Sequence, residues 1–142
     1  MITLDSEHMQ TITLLAAVGS GLMAGLFFSF STAVMPALRD LPAASARAAM
    51  RRINVRIQNP LFLLVFLGTG VLSGIAVFDG RVIGGLLYIV GSLLLTMFVN
   101  VPMNNRLERT NDEYWPEYLS RWTLWNHVRT LTSTAALVML IV

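Results

Sequence analysis

Four stretches of the chain, 9–38, 57–78, 82–105 and 130–142, carry no charged side chain, and the polar segments between them hold most of the charge. A helix that crosses a bilayer needs about 20 predominantly apolar residues, each rising about 1.5 Å. The first three stretches meet that length unaided. The fourth meets it only if its helix begins near Trp122 or Leu124 and takes His127 and Arg129 into its first turns. The pattern therefore predicts spans near 11–36, 60–78, 82–101 and 123–142. The Phe78-Asp79-Gly80-Arg81 link leaves room only for a tight hairpin, and short links make antiparallel neighbours. The expected fold is all-α, an up-down-up-down four-helix bundle spanning the membrane as a single domain over 1–142.

The two longer links have patterns of their own. Pro42 suits the first position of a helix. Ala46, Met50, Ile53 and Ile57 then fall on one helical face, flanked by Arg47, Arg51, Arg52 and Arg56. This predicts an amphipathic helix over about 42–57, lying in the membrane interface with its arginines toward lipid phosphates. Asn59-Pro60 supplies a cap and a first-turn proline for the second span. In the other link, Trp115, Tyr118, Trp122, Trp125 and Arg129 recur at helical spacing, which predicts an interfacial helix over about 112–122. That stripe reads either as an interfacial aromatic belt or as a wall for a flat aromatic ligand. Within the spans, Gly21 with Gly25 and Gly70 with Gly74 form GxxxG pairs, and Gly84, Tyr88, Ser92, Thr96 and Asn100 recur every four residues. Both patterns read as close helix packing. Each half of the chain also has a proline near one end of a span (Pro36, Pro102) and a Val-Arg pair entering the next, a faint sign of a duplicated hairpin.

Composition supports a lipid environment. Of 142 residues, 55% are hydrophobic and only 13% charged, where soluble domains carry about 25% charged. The mean hydropathy is +0.65. The sequence pI of about 9.7 does not point to nucleic acid, because the net charge is only +2. All ten basic residues are arginines. All but Arg81 fall in, or beside, the two longer links, and the positive-inside rule puts those links in the cytoplasm with both termini outside. The chain reads as a multi-pass protein of the cell membrane. Asp5 and Glu7 stand where a signal peptide would carry positive charge. The chain has no cysteine, so disulfides, thiolate metal sites and cysteine nucleophiles are excluded.

Chemistry is concentrated at the arginine-rich end. His127, in Trp125-Asn126-His127-Val128-Arg129, and Arg129 itself are ionisable groups inside a span, where such residues mark functional sites by default. Asn100 and Asn104 approach from the third span, and Asn54 and Asn59 from the first link. On an ideal helix His127 points well away from Trp125 and Arg129, whereas Asn126 lies nearer that stripe. Histidine and stripe therefore cannot both face one pocket squarely. The polar set reads either as mutual helix capping or as an active site. No metal site is expected. A haem held once by His127 stays open, as does a bound quinone.

Val34-Met35-Pro36-Ala37-Leu38, Ile53-Asn54, Asn59-Pro60, Asn100-Val101-Pro102-Met103-Asn104 and Trp122-Thr123-Leu124-Trp125-Asn126-His127-Val128-Arg129-Thr130 together resemble the anthrone-oxygenase-like family of small membrane proteins. The resemblance implies a four-helix membrane fold. It also implies oxidation of an anthrone to an anthraquinone by molecular oxygen, the role assigned to a few members. The residues are compatible with that chemistry without a cofactor. His127 would act as base. Asn100, Asn104, Asn126 or Arg129 would hold the enolate oxygen, Trp122 or Trp125 would stack on the rings, and Asn54 and Asn59 would border the substrate. Two further readings compete: a non-catalytic membrane partner or structural protein, including a homo-oligomer, and a haem- or quinone-binding redox protein.

Overall fold

The computed structural model describes residues 5–142, and no strand occurs among them. Five helices account for nearly all of them: α1 Ser6–Arg39, α2 Ala43–Arg56, α3 Pro60–Phe78, α4 Val82–Arg109 and α5 Trp115–Ile141. Local sequence sets their ends. The Asp5 carboxylate accepts from the His8 amide at 3.0 Å and caps α1. Asn59 accepts from the Phe62 amide at 3.0 Å and caps α3, with Pro60 in the first turn. Gly80 closes the α3–α4 hairpin at φ +92°, a region that L side chains rarely adopt.

α1, α3 and α4 are long and apolar enough to cross a membrane. α5 is long enough but polar in its first half. It runs unbroken from Trp115, so the separate interfacial helix expected over 112–122 is instead a short 3₁₀ turn, Asp112–Tyr114, leading straight into α5. Pro116 sits in the first turn, where its missing N–H costs nothing, and no proline or glycine follows it in the helix.

α1 packs along α3 and α5, and α4 packs along the same two. The faces turned outward are apolar, with Leu22, Leu64, Val90, Phe98, Leu131 and Val138 all more than half exposed. The faces turned inward are small or polar, with Ala16, Ser20, Ser73, Ser92 and Ser133 buried. That inversion of the water-soluble pattern is what a lipid solvent selects. Close approach uses Gly84, as its four-residue face predicts, and its neighbour Gly85. A Cβ at Gly84 would meet the Leu140 backbone N at 2.9 Å, and one at Gly85 the Ser73 carbonyl at 2.5 Å, whereas Gly25 and Gly74 have nothing within 4 Å. The GxxxG spacing is present, but only Gly21 and Gly70 of the two pairs face a neighbour.

Wide π-type turns interrupt α1 at Phe30–Val34 and α4 at Ile89–Leu94 and Thr96–Asn100. Two of them end two residues before a proline, Pro36 and Pro102. A proline inside a helix lacks its N–H and crowds the carbonyl four residues back, and a locally widened helix accommodates both. The turns in α4 also explain its four-residue repeat. On an ideal helix, residues spaced by four drift about 40° per step, but each π turn absorbs an extra residue. Gly84, Tyr88, Ser92 and Asn100 are therefore all buried on one side.

α2 lies across the end of α4. Ala46 and Met50 are fully buried, and Ile53 and Ile57 pack on the same cluster. The arginines differ from the expected pattern. Arg47 donates to the carbonyls of Leu107, at 3.1 and 3.2 Å, and Thr110, and pairs with Asp112 at 3.3 Å. Arg51 pairs with Glu108. The last carbonyls of α4 lack helical partners and carry the negative end of its dipole, so they draw Arg47 inward, whereas Arg51 is held by a carboxylate at the surface. Arg52 and Arg56 remain exposed.

Candidate functional site

Burial along α5 follows Trp115, Tyr118, Trp122, Asn126, Arg129, Ser133, Ala136 and Leu140. The stripe that enters the core thus passes through Asn126, not Trp125. Trp125 lies half-buried in an outer groove with Phe98, Met103 and Arg121. His127 is exposed on the far side of the helix.

Arg129 is 4% exposed. Its guanidinium donates to Thr96 Oγ1 at 3.1 Å and Asn126 Oδ1 at 2.7 Å, and its Nε has no partner. It lies 4.3 Å from the Phe27 ring centre and 5.0 Å from that of Trp122, which supplies some cation–π attraction. Among the described residues no carboxylate pairs with it. A buried charge is costly unless paired, so this guanidinium is the strongest electrostatic feature of the interior.

Asn126 holds it in place. The Asn126 amide donates to the Phe27 carbonyl and to Ser31 Oγ, both at 2.7 Å, which leaves its oxygen facing Arg129. Ser31 belongs to the π turn of α1. Asn104 is fixed in the same manner. Its oxygen accepts from Tyr118 Oη at 2.8 Å and Trp122 Nε1 at 2.9 Å, so its NH₂ is turned to the opposite side. Asn100 is 1% exposed, and neither its amide oxygen nor its nitrogen has a partner. Buried polar side chains are normally hydrogen-bonded, and an amide with neither end engaged is unusual.

These groups meet at one cavity of about 310 Å³, a volume suited to a small organic ligand. Asn54, Thr96, Asn100, Asn104 and Arg129 provide its polar wall, and Phe27, Phe30, Phe62, Phe66 and Trp122 its aromatic wall. The cavity holds a fixed cation and several unengaged amide donors, with no carboxylate or histidine on its wall. Such a site suits an oxygen that carries or develops negative charge on a flat apolar body.

The structure thus gathers five of the expected residues, Asn54, Asn100, Asn104, Trp122 and Arg129, and sets Asn126 directly behind them. It does not bring in His127, Trp125 or Asn59. Asn59 is exposed and occupied as a cap, its amide donating to the Arg56 carbonyl at 3.1 Å. Without His127 at the cavity, the arrangement offers neither the expected base nor an axial haem ligand there. Tyr118 and Thr96 enter the sequence reading only as members of their stripes, Tyr118 in the candidate aromatic wall, and Ser31 and the four phenylalanines are absent from it. Nothing in the pattern separates Phe27 or Phe66 from the apolar residues around them.

The sequence model of the family described as Anthrone oxygenase matches residues 46–139. The segments around Asn54, Asn59, Asn100–Asn104 and Trp122–Thr130 fall within it, while Val34–Leu38 and the rest of α1 precede it. No curated protein and no solved structure matches the chain. The match covers most of the chain, including every cavity residue outside α1, and the protein therefore belongs to the anthrone oxygenase family.

Proposed function

We propose that this protein is a membrane-embedded oxygenase that oxidises an anthrone-like polycyclic aromatic to the corresponding quinone. The observation that carries the reading is the buried Arg129 guanidinium, unpaired by any acid, beside the unengaged Asn100 amide on an aromatic-walled cavity. In this reading the chain forms a four-helix bundle that crosses the cell membrane four times. The exposed Leu131, Val138 and Ile141 of α5 support the fourth crossing. The arginine-rich end faces the cytoplasm and both termini lie outside.

The chemistry needs no cofactor. An anthrone has an acidic methylene, because loss of its proton gives an aromatic enolate. Arg129 and the amides of Asn100 and Asn104 stabilise the enolate oxygen, which lowers the cost of ionisation. The proton leaves to water at the polar rim near Gln58 and Asn105, which are exposed. The electron-rich carbon then reduces oxygen and forms a C–O bond, giving a hydroperoxide. Loss of water from it leaves the second carbonyl. Anthrone and one O₂ thus become anthraquinone and one H₂O. His127 has no part in these steps.

Oxygen uptake with an anthrone tests this. Arg129→Gln should lower turnover by roughly 100-fold or more, the usual cost of removing one oxyanion donor. His127→Ala should retain turnover near that of the parent. Loss of activity in His127→Ala with Arg129→Gln unaffected would reverse the assignment. The helix-capping alternative instead predicts no turnover in any form, and lower thermal stability in Arg129→Gln. A quinone carbonyl suits the same donors, so a quinone that binds without any oxygen uptake would favour a redox carrier.

A further inference from the structure

We infer that the gap between α3 and α4 is a lateral portal, through which ligand reaches the Arg129–Asn100 cavity directly from the acyl region of the bilayer. The inference rests on the reading of α3 and α4 as membrane spans and of the cavity as a site for an apolar aromatic. α3 packs on α4 over the stretch Val82–Leu94. Beyond it, the cavity itself lies between them, with Leu63 and Leu67 on one wall and Met97 and Val101 on the other. All four also face outward, at 38, 48, 50 and 40% exposure. An apolar residue that both lines a cavity and meets the exterior stands at its mouth. The other flank is closed, because Phe27, Trp122 and Arg129 are each 4% exposed.

The two ends of the mouth differ in character. Toward the arginine-rich end its rim is polar, with Gln58 and Asn105. Toward the middle of α3 and α4 it is wholly apolar. A flat apolar molecule bearing one oxygen would slide in with its rings along Leu67 and Met97 and its oxygen toward Asn100. The π turn Thr96–Asn100 lies on this wall, and widened turns of this kind are a recognised source of helix bending.

The absence of cysteine permits a direct test. Asn100→Cys, made in the full chain in lipid vesicles, breaks no hydrogen bond, since that amide has no partner. A lipid-dissolved pyrene maleimide should modify it about tenfold or more faster than a sulfonated, water-soluble maleimide, because a charged reagent crosses apolar surface poorly. Leu67→Trp or Met97→Trp, added to the Leu67 or Met97 side of the mouth, should slow that modification several-fold. Met97→Cys, already at the mouth, should react with the lipid-dissolved reagent whether or not Asn100→Cys is well folded. Equal rates with both reagents, no slowing by either tryptophan, or no reaction at Met97→Cys would overturn the portal. Modification does not depend on turnover. Cysteine variants labelled as expected, beside a parent chain that is inactive on anthrones, would sink the oxygenase reading and leave the portal standing.

Discussion

Arg129 and His127 are two residues apart on α5 and meet opposite surroundings, one buried beside Asn126 and the other exposed. Helical phase alone foretold that they would part, because two residues on a helix point about 200° apart. It did not say which of them would face inward. The whole face decides that: the inward choice also buries Trp122, Asn126 and Ser133, while the outward one exposes Leu124 and Leu131. Asn126 has the more structural task. Asn126→Leu would take one donor from the Phe27 carbonyl and one from Ser31 Oγ, and would leave one arm of the Arg129 guanidinium without its acceptor. It should cost about 3 kcal/mol of stability, the range for buried groups left unsatisfied, seen as a lower midpoint in thermal unfolding in detergent. Arg129→Met should behave differently. It removes a desolvated, unpaired charge, and apolar replacement of buried charge is often neutral or stabilising. The same unfolding measurement should show little loss for that variant while turnover disappears.

At the scale of elements, the three long apolar helices and the α3–α4 hairpin were legible because charge-free length and turn chemistry are local properties. The start of α5 was not, since nothing local separates an interfacial helix from the first turns of a longer one. The role of α2 was half legible. Its apolar face was plain from the spacing, but the partners of Arg47 and Arg51 lie some sixty residues away. The Glu108 carboxyl is held below the usual carboxylate range by its hydrogen bond from Arg51. The pair therefore contributes fully above the ordinary carboxylate pKa, and its contribution is lost as pH falls through the lowered one. Acid titration of thermal stability should show that loss in the parent and not in Glu108→Gln, which lacks the titrating group.

For the molecule as a whole, polarity of placement is the main result: the arginine-rich end, the α2 cover and the cavity all lie together, and the opposite end is a bare hairpin. An interior cation with no acidic partner among the described residues also sets the energetics of occupancy. A ligand that brings an anionic oxygen to Arg129 binds the folded state alone and should raise stability by about 2.7 kcal/mol at a hundred times its Kd. A shift in melting temperature that Arg129→Gln abolishes would verify it, and an equal shift in both would refute it. The π turns of α4 carry a last consequence. Each is one residue of slack held within a helix. Remove a single amino acid from Ile89–Leu94, and the widened turn can close to an ordinary one, with Thr96, Asn100 and Asn104 still on the face they now present. The same loss from a regular α-helical turn swings everything beyond it by about 100°, and the cavity would lose its amides without one of them being replaced. In this helix the place of a deletion, more than its size, decides whether the site survives.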